Sequence, residues 1–228
     1  MAKNKGIIKK IVFGIIGTII LFIIIVFVNL IIFEKNGSII STGKPIENFA
    51  EHHSALLVID IQEATTGDVS MYPFFQKNSD DLIKTINQLA ESFKGQNIPV
   101  IYVRSEINNP LVNLLNASYA KGSPGAKNDK RLKIVSDLEV VKKGKDSFRN
   151  TGLDSILSGN RVNEIYIVGL DAAECVNATV EAAQNRNYRV NLIDEAILSK
   201  SKEMKDSMMV IFKDKGVNVI KVNSLIVE

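Results

Sequence analysis

The sequence contains a single cysteine, Cys175, among its 228 residues. An intrachain disulfide is therefore excluded. Proteins outside the cytoplasm usually pair their cysteines or avoid them, so an unpaired cysteine needs a reason. Burial as a small hydrophobic residue is one reason and a reactive thiol is the other. Composition alone leaves both open.

The N-terminal part of the chain lacks acidic residues. Residues 1–33 carry four lysines and no Asp or Glu, whereas the rest of the chain holds 24 Lys and Arg against 25 Asp and Glu. The formal net charge of +3 therefore comes from the N-terminal part, and the body is near neutral. A nucleic-acid partner would require a basic face on the folded domain, so none is expected.

Residues 11–33 lack charge altogether, and 19 of these 23 residues are Ile, Leu, Val or Phe. A helix of this length is about 35 Å long, which is enough to cross a hydrocarbon core of about 30 Å. Lysines before the run and a mixed pair, Glu34 and Lys35, after it favour a cytoplasmic N-terminus and an extracytoplasmic body. We therefore predict a single-pass protein of the cell membrane, anchored through residues 11–33.

The alternative for this run is a cleaved secretory signal. The apolar core of a signal peptide is usually about 7 to 15 residues long and is followed by small residues at a cleavage site. Here the run is longer and no such site follows. This favours an uncleaved anchor, then a linker over residues 34–53 and a folded domain over residues 54–228.

The body alternates short apolar runs with segments of helical periodicity. Strands are predicted near residues 55–61, 99–103, 139–142, 164–168, 189–193 and 218–222. Helices are predicted after Ser79, which can act as an N-cap, near residues 154–157, from Ala172 to about Asn185, and near residues 202–213. This alternation predicts an α/β fold, a three-layer sandwich with a mostly parallel sheet.

Three chemically active side chains fall where such a sheet places its functional site, beyond the carboxyl ends of the strands. Asp60 ends the first strand, Lys142 ends the third, and Cys175 lies in the first turn of the helix that begins at Ala172. A helix N-terminus and a nearby ammonium group lower the pKa of a thiol, so we predict an activated Cys175 with Asp60 as proton acceptor and Lys142 as cation.

Each of these residues also has a plainer interpretation when it is taken alone. Asp60 could be a cap or a salt-bridge partner, and Lys142 a solvated lysine beside Lys143 and Lys145. Cys175 could be a packing residue on the inner face of its helix.

Three motifs, ALLVIDIQ, KKGKDSFRNTGL and IVGLDAAECVNATVEAA, occur in this order and resemble those of the isochorismatase-like cysteine hydrolases, the superfamily that includes nicotinamidases. The resemblance covers about residues 54–212. It implies a Rossmann-like isochorismatase-type fold and a catalytic triad of Asp60, Lys142 and Cys175, with Lys143 as the alternative lysine. It also implies hydrolysis of a C–N bond in a small-molecule amide through a covalent cysteine intermediate.

The same resemblance implies further site residues. A cis peptide is expected between Leu170 and Asp171, and the N–H groups of Asp171 and Cys175 are expected to form an oxyanion hole. Asp171 is a departure from the family, because it places an acid where negative charge must be stabilised. This is tolerable if its side chain turns away to cap the helix, where Asp171 and Glu174 have the spacing of a capping box.

Three residues, Gln62, Asn108 and Phe148, are expected to line the substrate pocket. Nicotinamidases resemble one another in a metal site built from Asp-x-His and another histidine, but this chain has only His52 and His53, both before the first strand. We therefore expect no metal site and no cofactor, and nicotinamide is a poor substrate candidate.

Two rival hypotheses remain open at this stage. One is a protein of the same fold that binds a small molecule and performs no chemistry. The other is an assembly subunit, a homo-oligomer whose membrane helices pair through Gly14, Gly17 and Asn29.

Overall fold

The computed structural model describes residues 2–46, 51 and 53–225, with side chains from residue 6 onward. His52 and part of the predicted linker, residues 47–50, lie outside the described residues.

Six parallel strands form one sheet in the order β3-β2-β1-β4-β5-β6. The strands are β1 (Ser54–Ile59), β2 (Val100–Ser105), β3 (Glu139–Lys142), β4 (Glu164–Gly169), β5 (Arg189–Ile197) and β6 (Asn218–Ile220). The order reverses beside β1, which lies between β2 and β4. The most apolar strand therefore lies in the middle of the sheet, as expected for a strand that is buried on both faces.

Helices cover both faces of the sheet and make the predicted three layers. The helices of the body are α2 (Pro73–Gly95), α3 (Pro110–Leu115), α4 (Leu153–Gly159), α5 (Asn177–Gln184) and α6 (Lys202–Asp214). Leu56 and Val58 of β1 pack with the apolar stripe of α2 on one face. Leu57 and Ile59 pack on the other face, which α4, α5 and α6 cover. The alternation of these side chains across β1 produces the two cores.

Gly169 ends β4 at the closest approach of two strands. Its φ is +116°, a conformation that residues with a side chain rarely adopt. A Cβ placed there would lie 2.1 Å from the carbonyl oxygen of Ile59. Glycine is therefore required where the chain leaves β4 toward the following turn.

The apolar N-terminal run forms one helix, α1 (Ala2–Gly37), which continues past the expected end of the run at Phe33. It is long and apolar enough to cross a membrane, with a mean hydropathy of 3.3 in its most apolar part. Most of its side chains are exposed, but Val26 is buried and Asn29, Leu30 and Phe33 are half-buried. These residues recur at helical spacing, so one face of the last turns of α1 lies on the body, where α1 contacts α3.

The chain that follows α1 lies along the body instead of standing away from it as a free linker. The Ser41 amide donates to Asp146 at 2.7 Å, and the Ile46 amide donates to the carbonyl oxygen of Arg186 at 2.8 Å. Residues 38–46 lack periodicity, so the sequence contained no signal for these contacts.

The predicted start of α2 was wrong. The helix begins at Pro73, whose fixed φ suits the first helical position, and Ser79 lies buried within it. The hydroxyl of Ser79 donates to the carbonyl oxygens of Thr66 and Gln76 and caps no helix.

The close approach at Gly169 can be tested by substitution. Gly169→Ala combines backbone strain with a clash against Ile59, so we expect the free energy of unfolding to fall by about 3 kcal/mol or more. Gly159→Ala is the matched control, because Gly159 lies in α4 with open space around it and should gain up to about 1 kcal/mol. Denaturant unfolding of the detergent-solubilised protein, followed by circular dichroism, measures both. An unchanged midpoint for Gly169→Ala would contradict the close packing of β1 and β4.

Candidate active site

Four side chains converge at the carboxyl ends of neighbouring strands. Asp60 follows β1, Ser105 is the last residue of β2, and Lys142 is the last residue of β3. Cys175 lies in a single turn of π-helix, Ala172–Val176, which follows β4 and leads into α5. The structure thus brings together Asp60, Lys142 and Cys175, which the sequence singled out from three distant segments.

Lys142 makes the contacts that connect the cluster. Its Nζ donates to Asp60 Oδ2 at 2.8 Å, to Ser105 Oγ at 2.7 Å and to Cys175 Sγ at 3.2 Å. The carbonyl oxygen of Gly144 accepts from it at 3.1 Å. The side chain is fully buried, so these partners replace the water that the ammonium group loses on folding.

The alternation of side chains along β3 decides between Lys142 and its neighbour. Val140 and Lys142 are buried, whereas Glu139 and Val141 are exposed. Lys142 therefore points into the site with the inward residues of the strand. Lys143 lies at the rim of the adjacent pocket.

Asp60 is oriented by an unusual backbone conformation. Its φ is +54°, in the left-handed region that Asp adopts more readily than most residues. Asp60 Oδ1 accepts from Ser105 Oγ at 3.0 Å, and the carbonyl oxygen of Asp60 accepts from Thr65 Oγ1 at 2.6 Å. These contacts hold the carboxylate toward Lys142.

The expectation of a lowered pKa at Cys175 was wrong for the resting site. Burial and then the charge of the Asp60 carboxylate raise the pKa of Cys175 to about 12, although Lys142 opposes this effect. Burial lowers the pKa of Lys142, but the charge of Asp60 and the hydrogen bonds to Asp60 and Cys175 outweigh this effect, so that the pKa of Lys142 is raised. At neutral pH Lys142 is therefore an ammonium group, and the thiol of Cys175 is neutral.

This distribution of charge determines how a thiolate can form. A thiolate beside an ionised Asp60 would place two negative charges against the ammonium group of Lys142, which is unfavourable in a buried site. Transfer of the thiol proton to Asp60 avoids this, because the net charge of the three groups stays the same.

The peptide between Leu170 and Asp171 is cis, as the family resemblance implied. The side chain of Asp171 turns to the helix, where Oδ1 accepts from the Ala173 amide at 3.0 Å and from the hydroxyl of Ser199. This is the orientation in which an acid at this position is tolerable. The expected capping box is only half formed, since Glu174 instead pairs with Lys145 and Lys200.

A pocket of about 400 Å³ opens in front of Cys175. Asp60, Leu170 and Asp171 line its inner end, and Tyr72, Phe75 and Tyr119 form much of its apolar wall. Burial, followed by the charge of Asp60, raises the pKa of Tyr119, so the phenol is neutral and can donate a hydrogen bond. Phe33, Glu34 and Gly37 from the end of α1 also line the pocket.

None of the three residues expected in this pocket, Gln62, Asn108 and Phe148, lines it. Gln62 is fully buried. Its Nε2 donates to the carbonyl oxygens of Ser105 and Ala126, and its Oε1 accepts from the Ser105 amide. Phe148 lies in the core, where the guanidinium of Arg186 stacks on its ring.

Asn108 lines an adjoining cavity of about 250 Å³, which shares Phe33 and Lys143 with the main pocket.

Several residues of the site were missed in the sequence. Ser105 could have been found, because it lies two residues after the predicted strand 99–103, at the same sheet edge as Lys142, and the two are register partners. Tyr119 and the end of α1 carry no such signal. They reach the pocket only through the path of loops and helices.

Among the residues that the structure describes, no group of three or more His, Cys, Asp or Glu side chains could hold a metal ion. His53 precedes β1, at the opposite edge of the sheet from Cys175. His52 lies outside the described range.

A family model, the isochorismatase domain, matches residues 54–224, which is most of the chain. This chain belongs to the isochorismatase family. The isochorismatase-like fold and the hydrolase class implied by the three motifs are therefore confirmed.

One curated relative is N-carbamoylsarcosine amidase of Arthrobacter sp., which is 26% identical to this chain over 156 residues. The match covers 63% of this chain and 58% of that amidase. The uncharacterized isochorismatase family protein YddQ of Bacillus subtilis is 22% identical, with 68% of this chain and 83% of YddQ covered.

Solved structures show the same fold. N-carbamoylsarcosine amidase from Thermoplasma acidophilum superposes with a TM-score of 0.64 at 23% identity, covering 75% of this chain and 97% of the other. A cysteine hydrolase from Pseudomonas syringae pv. phaseolicola has a TM-score of 0.67 at 19% identity, covering 80% and 95%. Pyrazinamidase of Pyrococcus horikoshii, in complex with zinc, has a TM-score of 0.64 at 22% identity, covering 74% and 99%.

The coupling between Asp60 and Cys175 predicts an unusual response to substitution. Asp60→Asn removes a charge that raises the pKa of Cys175, so a larger fraction of the thiol ionises at neutral pH. We expect alkylation of Cys175 by iodoacetamide at about pH 7 to become at least about tenfold faster, the effect of one pKa unit. Intact-mass spectrometry measures the rate.

Asp68→Asn is the matched control, because Asp68 is exposed and pairs with Lys130 outside the pocket. Its alkylation rate should equal that of the wild type. Slower alkylation of Asp60→Asn would mean that Asp60 promotes ionisation of the resting thiol, contrary to the charge arrangement described above.

Proposed function

We propose that this protein is a membrane-anchored cysteine hydrolase that cleaves a C–N bond of an amide through a covalent intermediate on Cys175. The observation that carries the proposal is the shared contact of Lys142 Nζ with Asp60 Oδ2 and Cys175 Sγ, 2.8 Å and 3.2 Å away. The contact supports the proposal because it joins a candidate nucleophile and a candidate proton acceptor, both of which line one pocket, to a buried positive charge. This is the arrangement that nucleophilic catalysis requires.

The first half of the reaction is acyl transfer to sulfur. Cys175 Sγ attacks the carbonyl carbon of the amide, and the thiol proton passes to Asp60. The tetrahedral intermediate collapses as the C–N bond breaks, and Asp60 gives the proton to the leaving nitrogen. The products are an amine and a thioester on Cys175.

The second half regenerates the thiol. Asp60, again a carboxylate, takes a proton from water as the water oxygen attacks the thioester carbon. The carbon–sulfur bond breaks, Cys175 recovers its proton from Asp60, and a carboxylic acid leaves. Lys142 stays protonated throughout and offsets the negative charge as it moves between oxygen and sulfur.

We assign the oxyanion hole to the N–H groups of Asp171 and Cys175. Support comes from the orientation of Asp171, whose carboxylate binds the Ala173 amide and the hydroxyl of Ser199. That contact leaves the carboxylate directed to the helix, away from developing charge at the substrate carbonyl. Backbone donors at fixed positions stabilise a transition state without reorganising.

An amide substrate is favoured by the relatives. N-carbamoylsarcosine amidases occur both among the curated relatives and among the solved structures of this fold. The chain spans 58% of the length of the Arthrobacter amidase. Because that enzyme is an amidase of similar sequence, its type of substrate is a starting point for assays of this protein.

Replacing the triad residues tests the covalent mechanism. Cys175→Ala removes the chain's single thiol, and Lys142→Met removes the charge that offsets Asp60. We expect kcat/KM to fall by about a thousandfold or more in each, measured as ammonia release from a panel of N-carbamoyl amino acids and primary amides. Quenched intact-mass spectra should show an acyl adduct on the wild type and none on Cys175→Ala.

The matched control for the lysine is Lys143→Met, which changes the adjacent residue at the rim of the pocket. Lys143→Met should keep a kcat/KM at least about a hundredfold higher than that of Lys142→Met. If no amide of the panel is turned over and no adduct forms, the catalytic proposal fails and the binding protein without chemistry becomes the better hypothesis.

We further propose that α1 spans the cell membrane through residues 11–33, with the catalytic body outside the cytoplasm. Support comes from the length, high mean hydropathy and outward exposure of its apolar side chains. The lysines before the run favour a cytoplasmic N-terminus.

Single cysteines introduced into the Cys175→Ala background test this topology. Lys84→Cys lies on the exposed side of α2 and should react with a membrane-impermeant maleimide in intact cells, whereas Lys9→Cys should react only after permeabilisation. The opposite labelling pattern would reverse the orientation. Release of a shortened, soluble chain from the membrane would instead indicate a cleaved signal.

A further inference from the structure

The end of the apolar helix forms part of the active-site pocket. Phe33, Glu34 and Gly37 of α1 line the same cavity as Cys175. A helix that served only as an anchor would have no reason to lie there. The position of the helix therefore bears on what enters the pocket.

Polar contacts fix the end of α1 at this place. Glu34 pairs with Lys145 at 2.8 Å, and the same Lys145 pairs with Glu174, next to Cys175, at 2.7 Å. The Lys145 amide donates to the carbonyl oxygen of Gly37 at 2.8 Å. Gly144 allows this approach, since a Cβ there would lie 2.8 Å from that oxygen.

The body meets α1 within the apolar run. Val26 is buried, and Leu30 and Phe33 are half-buried on the face of α1 that lies on the body. The uncharged residues before Val26, residues 11–25, provide a helix of only about 22 Å, which is shorter than a bilayer core of about 30 Å, so the span must extend into the part of α1 that the body contacts. The pocket therefore lies at the membrane surface, without an intervening spacer.

Two segments beside the pocket expose large apolar side chains. Leu114 and Leu115 at the end of α3 are 63% and 58% exposed, and α3 packs against α1. Met71 is 68% exposed and precedes Tyr72, which lines the pocket. Exposed apolar groups next to a membrane helix are typical of a surface that contacts the bilayer interface.

The pocket itself has two kinds of wall. Lys145, Glu174 and Lys200 provide charge near Cys175, whereas Phe33, Tyr72 and Phe75 provide apolar surface. A molecule with a polar amide and an alkyl chain matches both walls. Its chain would leave the pocket toward the bilayer, on the side where Phe33 lies.

We propose that the substrate is an amphipathic amide drawn from the membrane, with the amide at Cys175 and the alkyl chain held against Phe33 and Tyr72. The inference rests on the proposed hydrolase function and specifies its substrate class. It assigns to the end of α1 a role in recognition in addition to anchoring.

Ligand protection of Cys175 tests this in the full-length protein reconstituted into phosphatidylcholine vesicles. Two series of amides are used, primary fatty amides and N-alkylacetamides, each with chains from ethyl to dodecyl. The measured quantity is the amide concentration that halves the rate of Cys175 labelling by iodoacetamide. In the wild type we expect this concentration to fall by at least about tenfold along one or both series.

Phe33→Ser and Tyr72→Ser should each lose most of this gain with chain length. Ile32→Ser is the matched control, because Ile32 is the adjacent residue of α1, is 53% exposed and does not line the pocket. Partitioning of the amides into the vesicles is the same for all variants, so a difference between them reports the pocket.

The outcomes separate the two proposals. Equal protection by short and long chains in both series, or an equal loss in Ile32→Ser, overturns the amphipathic substrate. Turnover of short amides in that case leaves the hydrolase proposal intact. Protection that depends on chain length without turnover of any amide overturns the hydrolase and leaves the recognition of amphipathic amides.

Discussion

The buried ammonium group of Lys142 is the constraint on which the site depends. A fully buried charge is stable only when its partners replace the lost water, and here they come from Asp60, Ser105, Gly144 and Cys175. These partners belong to segments that are remote in the sequence. The need to satisfy one lysine therefore ties together the carboxyl ends of β1, β2 and β3 and the turn after β4.

The same constraint explains the unusual state of the cysteine. Burial raises the pKa of the Cys175 thiol, and the charge of the Asp60 carboxylate raises it further, although Lys142 opposes this effect. Reactivity then depends on moving a proton within the cluster instead of losing it to solvent. A thiol that stays neutral at rest is also less susceptible to oxidation, since the thiolate is the form that reacts with oxidants.

Much of the fold and the centre of the site were predictable because local rules decide them. The short continuous apolar run of β1, together with the βα alternation, predicted the layers of the sandwich, and the sheet-edge rule placed Asp60, Lys142 and Cys175 at one edge. The pocket walls were not predictable. Gln62 and Phe148 sit in motifs next to the site, yet their side chains point into the protein and serve packing and backbone contacts.

By itself, the sequence determined the family, the parallel α/β sheet, the membrane-length apolar helix and the three side chains that meet at the sheet edge, because these depend on composition, periodicity and short motifs. Only the tertiary structure decided the raised pKa of Cys175, the orientation of Asp171 and the place of α1 in the pocket. Each of these depends on distances between segments that are far apart in the chain. Burial and Coulomb interactions follow those distances, and no local pattern of residues encodes them.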